Sequence, residues 1–308
     1  MLKVLLGPSS FGEFDPAPLK RLKESGCEVI LNPHRRKLSK NELFELLGPD
    51  VVGLIAGLET LDQEVLEKTN LRVISRCGSG MSNVDLEAAK RLKIAVCSTP
   101  HAPVGAVAEL VVGAMLSLLR EIPRMNQDLH DGRWVKRLGT QLEAKTVLTI
   151  GFGRIGQKVA SLLKPFEVNL IAVDPHKQEK FDGVSFFSLS QALTVADVIT
   201  IHCSAQEQVL GAKEFSLMKD GVFLLNASRG EVVEEAALLK ALENKKVAGA
   251  WIDTFWNEPY DGALKKYPQV ILTPHTGSYT RECRRAMEME AAENLLAALS
   301  KSNHHAST

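Results

Sequence analysis

Three short segments carry side chains that could do proton and charge chemistry together. Asn226-Ala227-Ser228-Arg229-Gly230 follows the apolar run VFLL, Asp253-Thr254-Phe255-Trp256-Asn257-Glu258-Pro259 follows AGAWI, and Thr273-Pro274-His275-Thr276-Gly277 follows VIL. Taken singly, each has a plain reading: Arg229 as a surface ion pair, Glu258 as part of a turn before proline, His275 as a structural histidine. Taken together they offer more. A guanidinium fork can grip a carboxylate at two oxygens. An imidazole can take a hydroxyl proton as a hydride leaves the same carbon. A carboxylate can orient that imidazole and stabilise its cationic form. This is the set that redox chemistry on a 2-hydroxy acid requires.

A hydride carrier has its own signature. Gly151-Phe152-Gly153-Arg154-Ile155-Gly156 follows the strand-like VLTI and opens the apolar-periodic IGQKVASLL. Strand before and helix after are the context that gives a glycine-rich turn meaning. Gly151 permits the tight turn, Gly153 lets backbone approach a pyrophosphate, and Gly156 lets helix pack closely on strand. The helix N-terminus then offers amides and partial positive charge to the phosphates. The next strand-like run, NLIAVD, ends at Asp174, 23 residues after Gly151. A carboxylate there suits ribose hydroxyls and repels a 2′-phosphate, so NAD(H) is expected over NADP(H). His176 and Lys177, close behind, weaken that preference a little. A ligand-free glycine turn is the plain alternative.

The elements that must position these groups are legible as alternating patterns. Strands are expected at Lys3–Leu6, Glu28–Asn32, Val51–Ala56, Arg72–Arg76 and Ile94–Cys97, with amphipathic segments such as Asn41–Leu47 and Leu61–Lys68 between. A second series reads Thr146–Ile150, Asn169–Val173, Val198–His202, Val222–Asn226, Ala248–Ile252 and Val270–Thr273. Repeated strand–helix units imply parallel sheets covered on both faces, and six strands suit a dinucleotide-binding sheet. Pro103 suits the first turn of a helix over Val104–Leu119. The last helical stretch, about Arg281 to Leu299, has no place in the second series and is expected to return to the first. The fold class is therefore α/β, with two parallel-sheet domains, the second suited to a dinucleotide. The expected division is 1–98 with 277–308 as substrate domain and 99–276 as NAD-binding domain.

Composition bounds the function classes. Lys plus Arg and Asp plus Glu both number 37 in 308 residues, so formal charge is zero. That balance gives no footprint of a general nucleic-acid or membrane-surface binder. Cys27, Cys77, Cys97, Cys203 and Cys283 are scattered without a Cys-x-x-Cys pair, as for thiols in a reducing, cytoplasmic setting. No metal site is expected. The N-terminal apolar stretch is too short for a signal-peptide core. Val104–Leu119, broken by Glu109, is too short for a membrane span. The polar tail SNHHAST is expected to be disordered; its His304 and His305 could bind metal, but a solvated tail is the simpler reading.

The sequence resembles the D-isomer-specific 2-hydroxyacid dehydrogenase family, especially its phosphoglycerate-dehydrogenase-like branch, from about Leu31 to Leu299. The resemblance lies in CGSGMSNVDL, TPHAPVGAVAEL, GFGRIG, NASRGEVVEEAALLKAL, IDTFWNEP and ILTPHTG. It implies two Rossmann-like parallel-sheet domains, flavodoxin-like and dinucleotide-binding, with an active-site cleft between them, and an oxidoreductase acting on a CH–OH group of a small 2-hydroxy or 2-oxo acid, built as a homodimer. It implies that Arg229 binds substrate and polarises its carbonyl, that His275 is the acid/base, and that Glu258 is its partner. Substrate carboxylate is expected on the amides of Ser79 and Gly80 and on Arg229. The implied cofactor-binding set is Gly151, Gly153, Arg154, Ile155, Gly156, Asp174, His202, Ala227 and Asp253, the last reaching the nicotinamide carboxamide.

Three departures bear on substrate. Many relatives carry Pro-x-x-Asn-Thr where this chain has Pro100-His101-Ala102-Pro103-Val104. His202-Cys203-Ser204-Ala205 stands where relatives often read His-x-Pro-Leu, and the loop on to Met218 is about three residues short. Positions that carry arginine in some phosphoglycerate dehydrogenases are here Ala56 and Leu58. Arg35, Arg36, Lys37 and Arg76 remain as possible phosphate cations or as solvated charges. No appended regulatory domain follows residue 300, so feedback through one is not expected. A phosphoglycerate dehydrogenase-like enzyme, a glyoxylate/hydroxypyruvate reductase, a reductase of a larger 2-oxo acid and an NADH-sensing corepressor-like binding protein all stay open on these residues.

Overall fold

The structure is a computed structural model that describes residues 2–176, 181–204 and 207–305, with side chains as far as Lys301. The chain divides into two compact units, Met1–Pro103 with Ser278–Thr308, and Val104–Gly277. Both boundaries fall slightly beyond the expected ones at 98/99 and 276/277.

In the first unit the apolar runs form β1 (Leu2–Leu6), α1 (Ala17–Glu24), β2 (Cys27–Leu31), α2 (Lys40–Leu46), β3 (Val51–Ala56), α3 (Gln63–Glu67), β4 (Val73–Arg76), α4 (Leu86–Arg91) and β5 (Ala95–Ser98). All neighbours pair in parallel, in the order β2-β1-β3-β4-β5. This is the flavodoxin-like order, with its reversal point between β1 and β3. Caps set the helix starts. The Ser39 hydroxyl accepts from Glu42 N while the Glu42 carboxylate accepts from Ser39 N. Asp62 accepts from Val65 N and Asp85 from Ala88 N. The Asp62 cap delays α3, which starts two residues after the expected Leu61.

The C-terminal helix, Arg281–His305, belongs to this unit. The Ser75 hydroxyl donates to Ala291 O at 2.8 Å, and Leu295 and Leu299 are buried. Helix runs past Leu299 into the tail expected to be disordered, because extending a formed helix gains one bond per residue fixed. The side chains of His304 and His305, and residues 306–308, lie outside the described residues. Among those described, no group of three His, Cys, Asp or Glu side chains could hold a metal ion.

The second unit contains α5 (Pro103–Leu119), α6 (Ile122–His130), β6 (Thr146–Ile150), α7 (Arg154–Leu163), β7 (Asn169–Val173), β8 (Val184–Phe186), α8 (Leu189–Val195), β9 (Val198–Ile201), α9 (Ala212–Leu217), β10 (Val222–Asn226), α10 (Glu235–Glu243), β11 (Val247–Ile252) and β12 (Val270–Leu272). Pro103 opens α5 as the sequence suggests. The sheet is wholly parallel, ordered β12-β11-β10-β9-β6-β7-β8. Its reversal lies between β9 and β6, where open α/β sheets bind ligands outside the carboxyl ends of strands. The sheet has seven strands where six were expected. The extra one, β8, spans three residues at the edge, too few for a period-2 pattern to register. Among the described residues no single helix is long and apolar enough to cross a membrane.

Candidate active site

The glycine turn lies between β6 and α7. Gly151 has φ +87°, and a Cβ there would run into the backbone of His202 and Cys203. Gly156 packs so closely that a Cβ would meet the Gly151 carbonyl. Gly153, the N-cap of α7, differs: its Cβ position is open, with nothing within 4 Å. Gly153 and Arg154 are exposed and Ile155 half-buried. First-turn amides of a helix have no intrahelical partner, and the Gly153 position leaves room for a ligand to approach them. Asp174 follows β7 and is tied to this turn. Its Oδ2 accepts from Phe152 N at 2.7 Å and its Oδ1 from His176 N at 2.9 Å. Each oxygen retains a lone pair for a further donor. These residues fit a dinucleotide on their own geometry. Lys177, which bears on NAD against NADP, lies outside the described residues, as does Ala205 of the shortened loop.

His202 follows β9 beside the same turn, its N–H donating to Ile150 O at 2.7 Å. Its Nε2 pairs with the Thr200 hydroxyl at 2.9 Å, while Nδ1 is sealed from solvent without a partner. Burial pushes its pKa down to about 3, so the folded state holds it neutral. The unfolded chain takes up this proton below about pH 6.5, whereas the folded chain does not. Stability is therefore full above that value and lost as pH falls, by roughly 2 kcal/mol at pH 5. Urea midpoints at pH 7 and pH 5 check this: His202→Asn is expected to lose less than the wild type. Equal losses would remove the assignment.

The three candidate catalytic groups all lie in the second unit. Arg229 follows β10 on a turn built by Asn226, which is 1% exposed. The Asn226 carbonyl oxygen accepts from Ser228 N and Oγ, and its amide donates to Arg229 O at 2.8 Å. This Asx-turn is a standard use of asparagine. The Arg229 guanidinium donates to Ser228 O at 2.6 Å. Gly230 packs so tightly on the Phe255–Trp256 backbone that a side chain could not fit. That contact draws the arginine turn against the loop carrying Glu258. Ala227 is half-buried on the same turn.

His275 Nδ1 lies 3.0 Å from each Glu258 carboxylate oxygen. Glu258 Oε1 also accepts from Phe255 N at 3.1 Å. Burial pushes the Glu258 carboxyl up, but the His275 hydrogen bond and charge, the Phe255 amide and the Arg229 charge together hold it below its ordinary value. Glu258 is thus ionised at neutral pH. Nδ1 donates to it, which leaves Nε2 of a neutral His275 as acceptor. The two side chains are about one-third exposed, so protons can exchange with solvent.

His275 sits at φ +54°, a left-handed conformation uncommon for a residue with a side chain. The residues around it are fixed by Asp253, which is 1% exposed. Asp253 Oδ1 accepts from Thr273 Oγ1 at 2.6 Å and Thr276 N at 2.9 Å, and Oδ2 from Gly277 N at 2.9 Å. Trp251 Nε1 donates to Thr273 Oγ1 at 3.0 Å. Both Asp253 oxygens are thus engaged within the chain. The reading from sequence missed this anchoring, and a threonine on each side of Pro274-His275 was the available signal. In the first unit, Gly78 N donates to Thr99 Oγ1 at 2.7 Å, which sets the start of the loop that leaves Ser79 exposed and Gly80 half-buried.

The profile described as "D-isomer specific 2-hydroxyacid dehydrogenase, NAD binding domain" matches residues 112–277. D-3-phosphoglycerate dehydrogenase from Sus scrofa is 36% identical over 301 residues, covering 94% of this chain and 55% of that protein. Hydroxypyruvate reductase from Thermotoga maritima is 33% identical over 289 residues, covering 89% of this chain and 94% of that protein. A solved glyoxylate reductase from Paecilomyes thermophila superimposes with a TM-score of 0.88 at 27% identity, covering 98% of this chain and 96% of that one. The chain spans about half the length of the phosphoglycerate dehydrogenases it matches. A matched profile over more than half the residues, carrying the glycine turn and the Arg229, Glu258 and His275 segments, makes this chain a member of the D-isomer specific 2-hydroxyacid dehydrogenase family.

Proposed function

We propose that the chain is an NAD(H)-dependent oxidoreductase that interconverts a small D-2-hydroxy acid and its 2-oxo acid. The observation that carries this is His275 Nδ1 on both oxygens of an ionised Glu258, with the Arg229 charge beside them. When bound, the nicotinamide gives or takes the hydride. Arg229 holds the substrate oxygens with its fork. In oxidation, neutral His275 takes the hydroxyl proton at Nε2, and Glu258 stabilises the cation formed. In reduction, the same nitrogen returns the proton. Ser79 and Gly80 keep their assignment to the substrate carboxylate on the resemblance alone. Asp174 supports NAD over NADP, because a second anion beside it would be repelled.

Pairing into a homodimer is part of the same proposal. Asp128, 3% exposed, takes Arg133 and Arg137 and pins the stretch after α6. On that stretch Trp134 is 81% and Leu138 100% exposed. Large apolar groups held out in this way suit an interface. Free thiols at Cys27, Cys77, Cys97 and Cys283 support a cytoplasmic setting.

A screen of NADH and NADPH oxidation across small 2-oxo acids tests the activity, with solution mass measured on the same sample. Turnover with NADH is expected, weaker with NADPH, from a protein of twice the chain mass. NADH binding without turnover on any acid would instead favour a nucleotide-sensing binding protein.

A further inference from the structure

A hydroxyl stands between the core of the second unit and the turn that presents His275. Trp251 on β11 is fully buried and packs in one core cluster with Met115 and Leu225. A buried indole N–H needs an acceptor, and this one has the Thr273 hydroxyl at 3.0 Å. An indole can only donate, so Thr273 accepts there and gives its single proton to Asp253 Oδ1 at 2.6 Å. Residue type thus sets the direction of both bonds. Asp253 passes the constraint on by accepting from Thr276 N and Gly277 N. Thr273 also bonds through its backbone: its N–H donates to Ile252 O at 3.1 Å, and its carbonyl accepts from His275 N at 2.9 Å.

His275 therefore lies between two points tied to the core, with Pro274, which has no N–H to contribute, before it. A left-handed backbone at a residue with a side chain persists only where its surroundings over-determine it. Thr273 supplies part of that determination from its side chain and part from its backbone. Glu258 is held by other means, through Phe255 N and a loop packed on Gly230. Loosening the turn at Thr273 thus moves the imidazole relative to a carboxylate that stays in place. All of these groups belong to the Val104–Gly277 unit. Proton transfer depends on such geometry, and a misplacement of about 1 Å can cost about a hundredfold in rate.

Resting on the oxidoreductase reading, we propose that Thr273 is a positioning residue whose hydroxyl, set between the Trp251 indole and Asp253, fixes the turn that keeps His275 against Glu258. The test follows NADH oxidation by the full chain with glyoxylate, hydroxypyruvate or the acid turned over fastest in the screen above. Thr273→Val keeps the shape and removes the hydroxyl, so kcat is expected to fall by about ten- to a hundredfold. KM for the acid is expected to stay within about threefold, since Asn226 builds the Arg229 turn. Thr273→Ser keeps the hydroxyl and is expected to stay within about threefold of wild type in kcat. In a His275→Ala background, Thr273→Val is expected to lower kcat no further, because a residue acting through the imidazole has nothing left to position. Thr273→Ala carries the same cycle if the valine variant does not fold. The inference is overturned, while the oxidoreductase reading stands, by an unchanged kcat in folded Thr273→Val, by a KM raised as far as kcat falls, by a serine variant as slow as the valine one, or by an equal loss with and without His275. Wild-type turnover on no 2-oxo acid at all sinks that reading, and this role with it.

Discussion

Replacing His275 with alanine is expected to lower turnover by about two to four orders of magnitude, the usual contribution of a positioned acid/base. The loss should fall on kcat, because the imidazole acts on the proton in transit and not on the resting substrate. The NADH dissociation constant, read by fluorescence quenching, should stay within about twofold, because the glycine turn and Asp174 belong to other elements. Glu258→Gln is the companion variant. It keeps the shape of the acceptor but removes the charge that stabilises cationic His275, so it should lower kcat less than His275→Ala does. Near-normal turnover in a folded His275→Ala would end the assignment of this group as the base.

The second large effect belongs to Arg229. Arg229→Lys keeps the positive charge beside Glu258 but cannot offer a fork. We expect kcat/KM to fall by about two to three orders of magnitude, as when an oriented donor is removed from a developing oxyanion. The change should be larger for Arg229→Ala. Folding should hold in both, since Asn226 builds the turn through backbone atoms of Arg229 and through Ser228. Comparison of kcat/KM for the two variants thus separates charge from geometry. A lysine variant with wild-type kcat/KM would show that the fork is not used.

Much of this arrangement was legible in the sequence. The ordered alternation of strand and helix gave eleven of the twelve strands within a residue or so, because parallel strands buried on both faces read as continuous apolar runs. The Gly151 turn was legible for a different reason: its backbone conformation and its contacts with Cys203 exclude any side chain. Arg229, Glu258 and His275 stood out because each follows the end of a strand. Harder to see was what holds them. Asp253 reads as a site acid but is committed to Thr273, Thr276 and Gly277. Asn226 looked like strand end and proved to shape the arginine turn. Glu59, fully buried just after β3, gave no signal, since an acid two residues past a glycine reads as solvated loop until the fold closes over it. Long-range contact, not local pattern, decides such cases.

The helix Arg281–His305 carries a consequence for biosynthesis. Gly53 in β3 leaves room for Leu295 and Leu299, and a Cβ there would lie 3.1 and 3.5 Å from their Cδ1 atoms. On the ribosome, β1 to β5 emerge some two hundred residues before the segment that caps them. The nascent chain therefore carries an uncovered apolar sheet while the intervening Val104–Gly277 unit is made and can fold. Truncation before residue 281 should leave that sheet a client for chaperones, however well the later-made unit is formed.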